Sequence, residues 1–216
     1  MTRVRPAGLF DPARTALVMI DIQNDFCHPD GICGKAGKDL SMMPPMIGKA
    51  VELLKAARET GVHVIHVQHA VLKDGASDAP AWRYFISSLA ADGKVVVEGS
   101  WGHRFCEPID VLPGEHVVPK HRSSAFYSTR LEVLLRSAAV SNVAICGVLA
   151  EGCVESTARD AFHRDYYPLI VSDATASLNR DTHEAYFKVI GPRHDVVTVS
   201  ALADAWRSNR RRQVAA

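Results

Sequence analysis

Thr15-Ala-Leu-Val-Met-Ile20 is an unbroken apolar run, free of polar alternation and closed by Asp21. A strand with one wet face alternates, so this pattern belongs to a strand covered on both faces, as in the middle of a parallel sheet. Parallel strands need crossover connections, and the chain supplies one at once. After a glycine- and proline-bearing loop through Gly37, residues Ile47, Val51, Leu54 and Ala57 recur at helical spacing between Pro44 and Thr60, and the pattern stops before Gly61. Val62 to Val67 then reads as a second strand, which completes a right-handed strand, helix, strand unit.

From Leu72 to Pro113 the text is polar and mixed, with Trp82, Tyr84, Phe85 and Trp101 scattered through it. It predicts loops and a short helix over Trp82 to Ala91. Regular patterning returns with a strand at His116 to Lys120 and a helix over Ser128 to Arg136, capped by Ser128 or Thr129. A strand over Asn142 to Gly147 leads to a helix from near Cys153 to Asp165, and a strand at Pro168 to Val171 to a helix over Thr182 to Ile190. Val196 to Val199 is the last strand and Ala201 to Arg207 the last helix, after which the basic tail 207–216 is expected to fray. Strands separated by helices imply an α/β fold, a doubly wound three-layer α/β/α sandwich with a mainly parallel central sheet. A chain of 216 residues fits one such domain spanning 1–216.

Charge narrows the partners. Lys plus Arg number 25 and Asp plus Glu 24, a net charge of +1 that supplies no field for nucleic acid or an anionic membrane. The expected partner is a small molecule. Thr15 to Ile20 is far shorter than the roughly 20 residues of a spanning helix, so no membrane segment is expected. Met1 to Phe10 lacks the apolar run of a secretory signal, which makes the cytoplasm the expected location. The five cysteines, at 27, 33, 106, 146 and 153, form no C-x-x-C pair and predict no disulfide framework.

In a doubly wound sheet the site lies at the carboxyl ends of the central strands. That rule selects Asp21 after the first strand, Lys120 at the end of another, and the turn Gly147-Val-Leu-Ala-Glu-Gly-Cys153 after a third. A thiol where a helix begins meets the positive end of the macrodipole and the free N–H groups of the first turn, which favour thiolate and can hold an oxyanion. Cys146, inside its strand, reads as apolar filling. Asp21 and Lys120 supply what a cysteine nucleophile needs, a carboxylate to move a proton and a cation to stabilise negative charge. An Asp after a strand is more often a loop cap and a Lys at a strand end a solvated charge, so it is their joint occurrence that counts.

Three blocks carry a resemblance over nearly the whole chain. Asp21-Ile-Gln-Asn-Asp-Phe26, Pro119-Lys120 followed by Ser124-Ala-Phe126, and Gly147-Val148 through Cys153-Val-Glu-Ser-Thr157 resemble the isochorismatase-like cysteine hydrolases. The resemblance implies a triad of Asp21, Lys120 and Cys153, a cis peptide at Val148–Leu149, and an oxyanion hole from the N–H groups of Leu149 and Cys153. Cys153-Val-Glu-Ser-Thr157, Arg159-Asp160 and Asp173-Ala174 are similar to the ureidoacrylate and N-carbamoyl amidohydrolase branch. That branch implies amide or ureide cleavage with release of ammonia through a thioester and no cofactor, with small carboxylated ureides, N-carbamoyl or ureidoacrylate-like, first as substrates and simple carboxamides second. Oligomers are common among such relatives; a homo-oligomer is therefore expected, with the segment from Trp82 to Phe105 as a candidate subunit contact.

This chain departs from the family pattern at three places. Ala150 replaces the usual threonine of the turn. Ser123 stands where ureidoacrylate hydrolases tend to carry an aromatic residue, and Val67-Gln68-His69 lacks the Asp of the nicotinamidase metal site. His63, His66 and His69 do not make a metal site of their own, because alternate strand residues face opposite sides; only His69, at the strand's end, is expected to reach the pocket. Phe26, His69, Trp101, Ser123 and Phe126 are the substrate-contact candidates, with Arg122 and His121 as candidate carboxylate clamps. A nucleotide-binding domain is disfavoured, since no GxGxxG or GxxxxGK[ST] follows the first strand. A catalytically silent binding protein is the weaker alternative, motivated by Ala150. A redox-sensing thiol would need Cys146 beside Cys153.

Overall fold

The computed structural model describes residues 4–90 and 94–214. Six strands, β1 (Thr15–Ile20), β2 (His63–His69), β3 (His116–Lys120), β4 (Asn142–Val148), β5 (Tyr167–Ala176) and β6 (Asp195–Val197), form one sheet in the order β3-β2-β1-β4-β5-β6. All five pairings are parallel. The helices are α1 (Asn24–Cys27), α2 (Ile32–Lys35), α3 (Met43–Thr60), α4 (Pro80–Ile86), α5 (Leu131–Ser137), α6 (Glu155–Phe162), α7 (Arg180–Ile190) and α8 (Val199–Val214).

The unbroken apolar run of β1 is explained by its two neighbours above and below. Leu17 and Met19 pack into one core with α3 and α8, among Met46, Leu53, Leu54 and the fully buried Trp206. Ala16, Val18 and Ile20 pack into a second core with α5, α6 and α7, among Leu131, Leu135, Ala158 and Ile190. These are the three layers of a doubly wound sandwich. α3 starts one residue before the expected helix, with prolines in its first turn, and ends at Gly61, whose φ of +79° lets its N–H turn back to the Ala57 carbonyl.

Several expected boundaries move. Residues 207–214 of the expected loose tail are helical: α8 runs to Val214, with Trp206 anchoring it, Arg207 pairing with Glu59, Asn209 donating to the Phe10 carbonyl and Gln213 donating to Asp11, while 215–216 lie outside the described residues. The last strand stops at Val197, since the Val199 N–H bonds the Asp173 carboxylate and opens α8. β5 continues to Ala176, well past Val171. α5 begins at Leu131 because Ser128 is left-handed (φ 54°), and Thr129 uses its hydroxyl as acceptor for the Leu131 N–H. α4 is displaced, running from Pro80 to Ile86 where Trp82 to Ala91 is expected; Ala91 lies outside the described residues. Among the described residues no helix is long and apolar enough to cross a membrane.

Candidate active site

The carboxyl ends of β1, β3 and β4 converge. Asp21 leaves β1 in the left-handed region (φ 51°), with its N–H bonded to the Val67 carbonyl of β2. Gly147, opposite Ile20 in register, has φ +118°, and a Cβ there would come within 2.0 Å of the Ile20 carbonyl oxygen. The adjoining Val148–Leu149 peptide is cis. Beyond it the chain makes one π-helical turn, Ala150–Val154, before α6. Cys153 therefore sits inside that turn, two residues ahead of α6, and is the only one of the five cysteines that is not fully buried.

Lys120 ties the three ends together. Its ammonium lies 2.8 Å from Asp21 Oδ2 and donates to Cys153 Sγ at 3.1 Å, His69 Nδ1 at 3.1 Å and the Arg122 carbonyl at 3.0 Å. Asp21 and Lys120 are both shut off from water. The donor atoms of Asp21, His69 and Cys153 lie within 4.8 Å of one another, a set that can hold a cation, and the cation among them is this ammonium. β2 stands between β1 and β3 in the sheet, so the lysine reaches past the end of β2, and His69, its register partner, fills the intervening position.

Gln23 holds that geometry, and only its place in the block Asp21 to Phe26 points to it in the sequence. Its side chain donates to the His69 and His103 carbonyls and accepts the His69 N–H, which clamps the end of β2 to the loop after β1.

Burial governs the protonation states. It lifts the Asp21 carboxyl above the ordinary carboxylate range, against the pull of the neighbouring ammonium. Burial opposes the Lys120 charge, yet Asp21 and Cys153 outweigh it and raise the lysine above its ordinary value. Burial and the Asp21 charge push the Cys153 thiol up to about 12, with Lys120 working the other way. Burial thus works against the thiolate that a helix terminus would favour. His69 is held well below its ordinary value, first by burial and then by the Lys120 charge, and is neutral.

A narrow cavity of about 60 Å³ opens over Cys153. Phe26, His69 and Ser123 line it, as do Leu149 and Cys153 of the turn, and α4 with the residues after it forms the roof through Trp82, Phe85, Ile86 and Leu89. Trp82 stacks on His69, with ring centroids 5.4 Å apart. Two expected contacts are corrected. Trp101 is half exposed and meets His28 edge-on outside the cavity. Phe126 is buried on the α5 and α6 side, against Tyr166 and under the Arg164 guanidinium, because the Ser124 hydroxyl before it is bonded to Asp160 of α6. The candidate clamps are engaged elsewhere: His121 Nδ1 bonds the Ala70 carbonyl, and Arg122 donates to the Ser77 carbonyl and lies over Trp82.

His63 is exposed and His66 bonds Glu115, so only His69 of the three histidines reaches the cavity. Cys146 packs in the α3 and α8 core while Cys153 packs against the other, which removes it as a resolving thiol. Ala150 is fully buried among apolar neighbours. A larger cleft of about 540 Å³ lies at the opposite, amino-terminal end of the sheet, lined by residues such as Phe162, Tyr167 and Asp195 and without a cysteine.

The chain is similar to known proteins in sequence and in fold. The chain is 33% identical over 183 residues to a ureidoacrylate amidohydrolase, RutB, of Methylobacterium radiotolerans, an alignment covering 80% of this chain and 70% of that one. The crystal structure of a cysteine hydrolase from Pseudomonas syringae superposes with a TM-score of 0.84 at 24% identity, covering 97% of this chain and all of the other, a likeness of fold. N-carbamoylsarcosine amidase from Thermoplasma acidophilum superposes with a TM-score of 0.70 at 27% identity, over 86% of this chain and 96% of that one. Residues 15–202 match the Isochorismatase domain. With a family match over most of its length and a parallel sheet of the same kind, this chain is a hydrolase that belongs to the isochorismatase family.

Proposed function

We propose that the protein is a cysteine-dependent amidohydrolase that cleaves a small amide or ureide through a thioester and releases ammonia. The observation that carries this reading is the single buried ammonium of Lys120 touching both Asp21 and Cys153. A cation shared by a carboxylate and a thiol supports proton transfer between them, since it stabilises whichever of the two is negative.

Asp21, made more basic by burial, takes the Cys153 proton as the sulfur attacks the substrate carbonyl. The transfer is uphill at rest, given a thiol near 12, and becomes favourable as negative charge passes from sulfur to the carbonyl oxygen. The Leu149 and Cys153 N–H groups receive that oxygen. Asp21 returns the proton to the departing nitrogen, ammonia leaves, and a water activated by the same carboxylate hydrolyses the thioester, which is a thiocarbamate when the substrate is a ureide. Similarity to a ureidoacrylate amidohydrolase and to N-carbamoylsarcosine amidase supports the ureide reading. The partner is a small molecule, and no nucleic acid or membrane is involved. Tyr84 and Phe85, exposed on α4, fit a subunit contact in a homo-oligomer.

The test is an ammonia-release screen across ureides and carboxamides. Wild type releases ammonia with at least one of them, and Cys153→Ala releases none while melting close to wild type, since Cys153 packs only against the edge of its core. Turnover by Cys153→Ala would overturn the cysteine mechanism.

A further inference from the structure

The cavity says more about the substrate than the triad does. Lys120 carries donors only, so its contact at 3.1 Å makes His69 Nδ1 the acceptor. The ring is then the neutral tautomer with its proton on Nε2, an assignment set by the lysine. That Nε2–H is buried and has no hydrogen-bond partner among the described residues, in a side chain only 2% exposed that lines the cavity. Trp82 stacked on one face and Phe26 edge-on at 6.4 Å hold the ring in place. A buried donor fixed on both sides and left unbonded is a group waiting for an acceptor.

Apart from Asp21, Ser123, the Cys153 thiol and the Trp82 Nε1–H, which is likewise buried without a partner among the described residues, the rest of the lining is apolar. Among the described residues, the charged side chain that faces the cavity is the Asp21 carboxylate, and no arginine or lysine lines it. The Lys120 ammonium already has four acceptors around three N–H bonds. Arg122 donates to the Ser77 and His121 carbonyls through Nη1, His121 Nδ1 bonds the Ala70 carbonyl, and neither residue lines the cavity. A carboxylate on the substrate would therefore lie in hydrocarbon between Trp82, Phe85 and Leu89, unpaired and sharing the cavity with Asp21.

Building on the amidohydrolase reading, we propose that this enzyme selects an uncharged amide or ureide, with an apolar substituent against Phe26 and Trp82 and an acceptor atom on His69 Nε2–H. Carboxylated ureides are rejected. His69 is then a specificity-determining residue that separates this chain from enzymes whose substrates are acids.

Matched probes test the choice of charge: n-butylurea against 3-ureidopropionate, and butyramide against succinamate. The expected kcat/KM for ammonia release is about 100-fold higher for the neutral member of each pair. Protection of Cys153 from alkylation by iodoacetamide is measured with the same compounds, and the neutral member is expected to protect at correspondingly lower concentration. Equal or better turnover or protection by the acids would overturn the proposal. Selective protection by the neutral compounds without any ammonia release would support the pocket assignment while removing the amidohydrolase reading, so the two failures are distinguishable. His69→Phe is expected to raise KM for n-butylurea about tenfold, with any fall in kcat reporting the lost Lys120 contact, and His69→Gln, which offers both an acceptor and a neutral N–H donor, to recover most of the KM. An unchanged KM in His69→Phe would refute the role of that donor.

Discussion

Replacing Lys120 with Met isolates what the buried ion pair does for the molecule. Its ammonium lies 2.8 Å from Asp21 Oδ2, with both side chains essentially inaccessible to water. At an effective dielectric constant near 20 their attraction is about 6 kcal/mol. Desolvation of the two charges offsets much of that, so the pair as a whole adds little net stability. Removing one partner is different, because the other keeps its desolvation cost and loses its compensation, at about 3 to 5 kcal/mol. For a chain of this size that is a fall in melting temperature of roughly 6 to 20 °C. The pH dependence has a definite sign. Without the lysine, burial lifts Asp21 further above the ordinary carboxylate range, and a group with a raised folded pKa is penalised as pH rises through that value and not below its unfolded one. The deficit of Lys120→Met relative to wild type therefore narrows as the pH falls toward 4 in calorimetric scans. Adding Asp21→Asn removes the orphaned charge, and the double variant should recover most of the lost stability while remaining inactive. A Lys120→Met protein melting within about 2 °C of wild type, or a double variant no more stable than the single, would refute the coupling.

Burial and Asp21 push the Cys153 thiol up to about 12, so its alkylation by iodoacetamide should accelerate continuously from pH 7 to 10; a plateau below pH 8 would show a resting thiolate instead. Gly147→Ala should destabilise by about 3 kcal/mol or more, read as lost soluble yield or a large drop in melting temperature, because a Cβ would meet the Ile20 carbonyl oxygen at 2.0 Å and φ is +118°. Glu115 is held down to about 2 although burial works to raise it, since Arg58, the Leu112 N–H and His66 all bond its carboxylate. Its contribution is complete above the ordinary 4.5 and lost as pH falls toward 2, so Glu115→Gln should show a shallower acid limb than wild type in melts across that window.

The layers and the strand ends were legible because they depend on one-dimensional patterns. An unbroken apolar strand such as β1 is buried on both faces wherever it occurs, and a parallel sheet puts its site at carboxyl ends, which located Asp21, Lys120 and Cys153. What escaped depends on distance in space. Its basic charge and the lack of any segment after it make 207–216 look like a loose tail, whereas Phe10, Asp11 and Glu59, far away in sequence, bind 207–214 into α8. A thiol near a helix start looked ionised, but the number of solvating neighbours it loses is set by the folded surroundings. Aromatic identity could not tell a wall from a core, so Trp101 and Phe126 were expected in the cavity and Trp82 was not assigned to it. α4 is too short for its inward Trp82 and Ile86 and outward Tyr84 to make a periodic signal. The element that roofs the cavity is therefore the least patterned part of the chain, while the triad beneath it hangs on the most patterned. Chemistry here follows from sheet topology, and substrate choice follows from a short helix whose residues answer only to what they cover.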